Sequence, residues 1–576
     1  GGTDRDAPTL QEADQLWPEE LHSLVFLRTV LLRRFEVEQW SSTMSQKLIE
    51  CVPNFSEGRC KDTIDRIAAA ISVTKSVKLL DVDPGASTNR TVYTFVGGPE
   101  DVVEAAFNAA RVAQQLIDMR NHSGEHPRLG AMDVCPFVPV RNTTTEDCVD
   151  CARRLGERLG RELDVPIFLY GFAASADYRR SVPQIRSGEY EGLAARLGQP
   201  EWRPDFGPAE SRPAWGASMV GARKFLIAYN INLLGTKEQA HRIALNIREQ
   251  GRGPGQPGRL TGVQGIGWYL DEHNLAQVSV NILDFEVTPL HRVFKECCSD
   301  AAKLGLAVAG SQAVGLLPLK SLLDCAEYYA AEEGLMLLDE DQRVRLAVDR
   351  LGLASLGPFD PKQRVIEYLV DSGVAGPLAG LSVGAFVRAV GSRTPAPGGG
   401  SVSALVGALG VGLGAMGGLL TYGNRRFEHL DGKMRQLLPP MYSGCRGLLP
   451  FVDRDTEAFD AYMAACKAKA EPAKQQELLR DCALVPLELA REVAARWEQL
   501  EELAKVVNLN CRSDVQVAAK CMETAIFGAC CNVRTNLVSV EDADFKAKTD
   551  AEAEELQKHA AEKCQAVLKL LDDRKE

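Results

Sequence analysis

His126 stands in the segment Gly124-Glu125-His126-Pro127-Arg128-Leu129-Gly130, directly before the apolar run Ala131-Met132-Asp133-Val134-Cys135-Pro136-Phe137-Val138. Helix breakers on both sides place the imidazole in a loop, and the run predicts a buried strand. A histidine held at a strand entrance can take and return a proton near neutral pH; taken alone, the segment reads first as a turn histidine with a satisfied hydrogen bond, and its neighbours change that. Cys51-Val52-Pro53-Asn54-Phe55-Ser56-Glu57-Gly58 and Leu80-Asp81-Val82-Asp83-Pro84-Gly85-Ala86-Ser87-Thr88-Asn89-Arg90-Thr91-Val92 also end apolar runs in polar turn residues. In isolation Asp83 is a turn former before Pro84, and Asn54 a strand-end turn residue. Farther on, Phe451, Val452, Asp455, Ala458, Phe459 and Tyr462 recur at helical steps on one face, whereas Asp453, Glu457 and Asp460 fall elsewhere. Asp455 is therefore the carboxylate expected among apolar neighbours, where burial raises its pKa and makes it a proton donor. The alternative is a buried aspartate satisfied by a neighbouring helix.

The three segments around Asn54, Asp83 and His126 resemble the amino-terminal domain of glutamate formimidoyltransferase. Thr394-Pro395-Ala396-Pro397-Gly398-Gly399-Gly400-Ser401-Val402 opens a long helical tail that resembles formimidoyltetrahydrofolate cyclodeaminase. In this order they are similar to the bifunctional formimidoyltransferase-cyclodeaminase family of animals, from Met44 to near the C-terminus. The resemblance implies transfer of a formimidoyl group from formimidoylglutamate to tetrahydrofolate, then cyclisation to 5,10-methenyltetrahydrofolate with loss of ammonia. It implies His126 as the acid–base of the transfer, Asp83 beside it, Asn54 on the substrate side and Asp455 in the cyclisation. It also implies a folate-binding loop formed by Gly207, Pro208, Ala209, Glu210, Ser211, Arg212, Pro213, Ala214, Trp215 and Gly216. Ser211 and Arg212 depart from the family there, where an aromatic and an aliphatic residue are expected. Trp215 could pack on an aromatic ligand or anchor the core. The further implications are polyglutamylated tetrahydrofolate as co-substrate, no metal, a homo-octameric ring, and a cytoplasmic protein with peripheral Golgi, centrosomal or cytoskeletal association. Two other readings stand beside this one: a transferase whose helical tail only oligomerises, and a non-enzymatic Golgi scaffold.

Composition narrows the classes. A net charge of −12 provides no broad basic field for nucleic acid. Small anionic substrates need only a local Arg or Lys cluster. Sixteen cysteines without a framework suit reduced thiols, and Cys148 and Cys151 read as helix-face residues rather than a zinc or redox pair.

The elements that must position these residues follow from periodicity. Strands are expected at Leu48–Val52, Val77–Val82, Val92–Val96, Asp133–Val138, Pro166–Tyr170 and Lys224–Asn230, with helices at Cys60–Ala70, Pro99–Met119 and Asp147–Leu163. A second alternating set has helices near Lys237–Gln250 and Pro289–Leu304, strands near Gln264–Tyr269, Ala276–Leu283 and Ala307–Ala309, and helices after Pro318 and Pro361. The fold expected is multidomain: two layered α/β subdomains at 44–225 and 226–370 sharing a cleft, a linker at 371–380, and an all-α domain at 381–576. Residues 1–43 match nothing in the family and are expected to be a disordered extension before Met44. The uncharged, glycine-rich stretch Ser401–Leu420 is long enough to span a bilayer, but it reads better as the buried helix of a bundle, and no transmembrane span is expected. Ser513-Asp514-Val515-Gln516 reads as a capped helix start.

Overall fold

The computed structural model describes residues 47–370 and 376–574; the extension 1–43 and residues 371–375 of the linker lie outside the described residues. Two compact units divide the chain, Gln46–Gly373 and Val374–Glu576.

The α/β unit begins with β1 (Leu48–Cys51), β2 (Asn54–Phe55), α1 (Lys61–Ser72), β3 (Lys78–Gly85), β4 (Arg90–Gly97) and α2 (Pro99–Leu116). It continues with β5 (Met132–Arg141), α3 (Thr145–Glu162), β6 (Ile167–Gly171), α4 (Val182–Arg186), α5 (Glu189–Leu197) and β7 (Ser218–Ala222). One sheet runs β1-β4-β2-β5-β7-β6, with β3 on β4. Strands β5, β7 and β6 are parallel, and the remaining pairs are antiparallel. Alternation along the strands sends Phe55, Tyr93, Phe95 and Phe137 to one face, where Ile67 of α1, Phe107 of α2 and Leu155 of α3 bury them. Helix α3 starts on a capping box between Thr144 and Asp147, so its entry angle is set locally. The opposite face is covered in part by Ile185 of α4 and by Leu193 and Leu197 of α5, packed on Val134, Phe168 and Met219. The rest of that face carries the polar residues described below.

A second layer comprises β8 (Ile227–Leu234), α6 (Lys237–Ile247), β9 (Val263–Leu270), β10 (Leu275–Ile282), α7 (Leu290–Lys303), β11 (Ala307–Val314), α8 (Leu319–Glu333), α9 (Glu340–Leu351), α10 (Pro361–Arg364) and α11 (Ile366–Val370). Its sheet, β11-β8-β10-β9, is antiparallel throughout. Helix α11 returns to the first layer, where Lys78 Nζ of β3 donates to the Leu369 carbonyl (2.5 Å).

Two layered α/β parts followed by helices are the architecture expected. Details differ. The strand expected at Lys224–Asn230 is Ile227–Leu234 and belongs to the second sheet, not the first. Strands β2 and β7 and helix α9 were not anticipated. The first is two residues long, and Ser218-Met-Val-Gly-Ala is buried on both faces, so it shows no alternation.

The helical unit contains α12 (Val383–Val390), α13 (Gly399–Leu419), α14 (Asp431–Gly447), α15 (Phe451–Lys467), α16 (Pro472–Ala494), α17 (Trp497–Ala504), α18 (Arg512–Leu537) and α19 (Ala543–Asp573). The apolar helix α13 is long and apolar enough to cross a membrane. In the fold it is the hub, packed on α14, α15 and α18. Its small residues permit this: Gly410 lies so close to Ala518 and Cys521 of α18 that a side chain there would meet both. Helix α18 begins at Arg512 with Cys511 in the cap position and no capping side chain, so Ser513 does not cap it as expected. Asn508 caps the preceding 3₁₀ turn instead.

Candidate active sites

The register of the first sheet sets the transferase geometry. Val92 on β4 faces Asp83 on β3 and Asn54 on β2, and Asn54 in turn faces Val134 on β5. Residues directly opposite in a sheet share a face, so Asp83 and Asn54 project to the same side with Val92 between them. Their Cα atoms are two strand spacings apart, about 10 Å. Arg90, two residues before Val92, points to that face too. Its Nε donates to Asn54 Oδ1 (3.0 Å), while Asn54 Nδ2 donates to the Val52 carbonyl (2.8 Å).

A β-bulge supplies the next residue. One step from Asn54 to Phe55 matches two steps on β5, from Val134 to Met132, which leaves Asp133 as the extra residue. Asp133 is fully buried. Its Oδ2 accepts from Arg90 Nη1 (2.5 Å) and Arg186 Nη2 (2.6 Å), and its Oδ1 from the Leu129 N–H (2.8 Å). Burial works against the Asp133 charge, yet the two guanidiniums and the N–H hold its carboxyl below the ordinary range.

His126 stands beside this cluster. The loop that bears it is tied to the β3–β4 hairpin, where Glu125 N–H donates to Ser87 O (3.2 Å) and Asn89 Nδ2 to Ser123 O (3.0 Å). Arg128 closes the loop from the other side through Glu191 (2.6 Å) and Glu189 (3.3 Å). The His126 Nδ1–H donates to the Pro127 carbonyl (2.6 Å), which leaves the Nε2 lone pair as the basic position. Partial burial, and then the positive charges of Arg90 and Arg186, push its pKa below the ordinary histidine value.

The segment Gly207–Gly216 meets the same end of the sheet. Gly130 and Gly216 form an antiparallel bridge, Ala131 N–H donates to Trp215 O (2.8 Å), and Met119 N–H to Ala214 O (3.0 Å). Tyr190 Oη donates to Pro213 O (2.6 Å). Gly207, at positive φ, is pressed against Val165 at the other end of the loop. Ala209, Glu210, Pro213 and Ala214 are exposed, and Pro208 and Ser211 half-buried. Arg212 is engaged by Asp164 at the end of α3 (2.7 Å) and by Glu210 (3.5 Å). Trp215 belongs to the core, with its Nε1 donating to Ser218 Oγ (3.0 Å), so its indole cannot stack on a ligand as the first of the two expectations had it. Cys148 and Cys151 are core thiols, each pushed up to about 12 by burial.

In the helical unit the Asp455 carboxyl lies against Gly400, where a β-carbon on that glycine would fall. It accepts the Ser401 N–H, and Ser401 Oγ and Thr456 Oγ1 lie 3.2 Å apart. A free N–H at the start of α13, that of Ser401, is thus satisfied by the protein's own carboxyl group. Burial outweighs that hydrogen bond and raises the Asp455 pKa. The spacing argument was incomplete for its neighbour. Asp453 is the more buried of the two, with Oδ1 accepting from Leu378 N–H (2.6 Å) and Oδ2 from Ala379 N–H (3.2 Å). Only Phe451, Val452 and Asp453 of α15 are buried; the rest of the expected stripe, Asp455, Ala458, Phe459 and Tyr462, is half-buried. A groove of about 1540 Å³ runs between Pro377–Leu381, α15 and α16; Thr394–Pro397, Asp453, Thr456 and Asp460 line it, whereas Asp455 does not.

Sequence reasoning did not single out Arg90, Asp133, Arg186 or Asp453. Asp133 had a signal, as a lone charge inside an apolar run; its partner Arg186 lies 53 residues away and had none.

A polar site on the open face of a two-layer α/β unit, and a half-buried carboxyl at a helix start in a following helical unit, are the candidate centres of a protein built from two functional units. Family models described as "Formiminotransferase domain, N-terminal subdomain", "Formiminotransferase domain" and "Formiminotransferase-cyclodeaminase" match residues 48–223, 228–371 and 382–555. The formimidoyltransferase-cyclodeaminase of Rattus norvegicus is 57% identical over 92% of this chain and 100% of its own length. That of Sus scrofa is 56% identical over the same shares. The glutamate formimidoyltransferase of Streptococcus pyogenes serotype M1 is 42% identical over 50% of this chain and 94% of its own. The chain belongs to the formimidoyltransferase-cyclodeaminase family and is a bifunctional enzyme with a transferase unit and a cyclodeaminase domain.

Proposed function

We propose that the α/β unit transfers the formimidoyl group of N-formimidoyl-L-glutamate to N5 of tetrahydrofolate, and that the helical unit closes the product to 5,10-methenyltetrahydrofolate with release of ammonia. Family membership makes a folate and a glutamate derivative the substrates. The observation that carries the site assignment is the convergence of Asp83 and Asn54 on one sheet face with the His126 loop tied to the same hairpin.

In the first step N5 attacks the amidine carbon. His126 Nε2 takes the N5 proton, and the C–N bond to glutamate breaks as the same proton is returned to the leaving nitrogen. Asp83 stabilises the positive amidine carbon or orients the imidazole, and Asn54 holds the substrate from Arg90's side. The exposed part of Gly207–Ala214 offers a folate surface built from backbone and small side chains. In the second step N10 attacks the formimidoyl carbon, and the imine nitrogen leaves as ammonia after taking the N10 proton and one from Asp455, whose pKa burial raises toward that of a useful donor. The groove beside α15 provides room for the folate. Both steps move only protons and electron pairs along these bonds and require no metal.

We further infer polyglutamylated folate as the natural acceptor, the units 44–370 and 381–576 as separable domains, a cytoplasmic homo-octamer, and peripheral Golgi or centrosomal association. The test of the main reading is spectroscopic. Purified protein mixed with formimidoylglutamate and tetrahydrofolate should accumulate the methenyl chromophore and ammonia; accumulation of 5-formimidoyltetrahydrofolate alone would leave a transferase with a structural tail.

A further inference from the structure

The Arg90–Asp133–Arg186 cluster does not balance. Two guanidiniums share one oxygen of one carboxylate, at 2.5 and 2.6 Å, and the side chains are 9%, 0% and 14% exposed. Among the described residues, neither arginine has a second carboxylate partner. One positive charge is therefore left over in a place where water reaches it poorly. Such a charge is costly unless an anion completes it. The donors are incompletely used as well. Arg186 Nε is buried without a partner, and Arg90 spends Nε on Asn54 and Nη1 on Asp133. Guanidinium is suited to this use because its planar fork keeps donors aligned with a carboxylate while others are engaged.

The position of the surplus charge matters more than its sign. Arg90 lies on the sheet face of Asp83 and Asn54, and both arginines act on His126. The donor in the reading given above is a dicarboxylate with an amidine at one end. Its amidine carbon must come to His126, yet the cation itself is repelled by arginines. A carboxylate on the same molecule overcomes that repulsion and fixes the distance.

We propose that the surplus guanidinium charge of Arg90 and Arg186 binds a carboxylate of the glutamate-derived donor and thereby selects it over carboxylate-free amidines; this rests on the transferase reading of the site. Asp133 then has a second role beyond holding β5. By sharing its charge between two arginines it leaves the pair half-neutralised, able to bind the donor and to release glutamate afterwards.

The test uses the full chain and variants at Arg186, the less buried of the two arginines, as Arg186→Gln and Arg186→Lys. For Arg186→Gln we expect the KM for formimidoylglutamate to rise about 10- to 100-fold, the range of a charge-assisted hydrogen bond, with kcat changed far less. Glutarate should inhibit wild type competitively and the variant weakly. Transfer from formamidine, which has no carboxylate, should not fall in the variant when both are assayed above their acid limbs. Arg186→Lys should recover part of the loss, since charge returns without the fork. Equal KM and equal glutarate inhibition in wild type and Arg186→Gln would overturn the proposal, as would a parallel fall with formimidoylglutamate and formamidine in a variant with wild-type circular dichroism. Should Arg186→Gln not fold, the Lys variant decides: unchanged KM and glutarate inhibition with unchanged formamidine transfer would overturn the proposal. Absence of transfer from formimidoylglutamate in wild type would instead refute the underlying reading.

Discussion

The carboxyl group of Asp455 occupies the space that a β-carbon on Gly400 would take, and the neighbouring Ser401 N–H reaches it. Glycine at 400 is thus a requirement of the acid's position. Gly400→Ala should push Asp455 out of its slot, an overpacking change worth about 1–3 kcal/mol. Cyclisation of supplied 5-formimidoyltetrahydrofolate should fall by more than tenfold, while formimidoyl transfer stays at the wild-type rate. Wild-type cyclisation by the alanine variant would mean that the contact has no bearing on catalysis.

Asp453 and Asp455 are two residues apart on α15, so they project about 200° apart around the helix. The first receives two backbone N–H groups from Leu378 and Ala379, and the second receives one at the start of α13. The same substitution should therefore have different consequences. Asp455→Asn should fold, transfer normally and accumulate 5-formimidoyltetrahydrofolate, because asparagine keeps the shape but has no acidic proton. Asp453→Asn puts an NH₂ group against a backbone donor and should lower stability by about 1–3 kcal/mol, the cost of a buried unsatisfied pair. Thermal unfolding followed by circular dichroism, beside ammonia release, separates the two. Equal destabilisation of both variants would remove the distinction.

The difference between these aspartates shows what was legible in the sequence. Asp455 could be read because its apolar neighbours recur at helical spacing, a local pattern. Asp453 could not, because its partners are backbone groups 74 and 75 residues earlier, and backbone donors leave no mark in residue type. The same holds in the α/β unit. His126 was visible between breakers before an apolar run. The face shared by Asp83 and Asn54 depends on the pairing of three strands, and the role of Asp133 depends on a bulge that only the register reveals. Trp215 illustrates the converse. A tryptophan among glycines and prolines looked equally suited to a ligand and to the core, and the neighbouring Ser218 hydroxyl, which satisfies its indole N–H, belongs to a strand buried on both faces, whose residues show no alternation.

Separation of the units is expected on the same grounds. Two distinct apolar cores fill the two layers of the α/β unit, and the helical unit is organised around α13. A truncated chain ending at Val370 should fold and transfer without cyclising, and a chain beginning at Val374, which keeps the Leu378 and Ala379 N–H groups on Asp453, should cyclise supplied substrate. Cyclisation by the shorter amino-terminal chain, or failure of both to fold, would place the boundary elsewhere.

His126 gives the prediction with a sign. Partial burial and the positive charges of Arg90 and Arg186 hold its pKa below the ordinary histidine value, opposed by the hydrogen bond to Pro127. A lowered pKa means that the neutral, basic form persists to lower pH than for a histidine in water. If Nε2 is the base, kcat/KM for transfer should stay level as pH falls through the usual histidine range and decline only below it. Arg186→Gln removes one of the charges that depress it, so the acid limb of that variant should move to higher pH. His126→Ala should cut transfer by roughly 10²–10⁴-fold and abolish the limb, while cyclisation is untouched. The cyclisation profile should run the other way: Asp455 acts as an acid with a raised pKa, so its rate should be lost as pH rises through that value. Opposite limbs from one polypeptide, measured with formimidoylglutamate and with supplied 5-formimidoyltetrahydrofolate, would tie each reaction to its own residue. A transfer limb unmoved by Arg186→Gln, or one that survives in His126→Ala, would show that another group carries the proton.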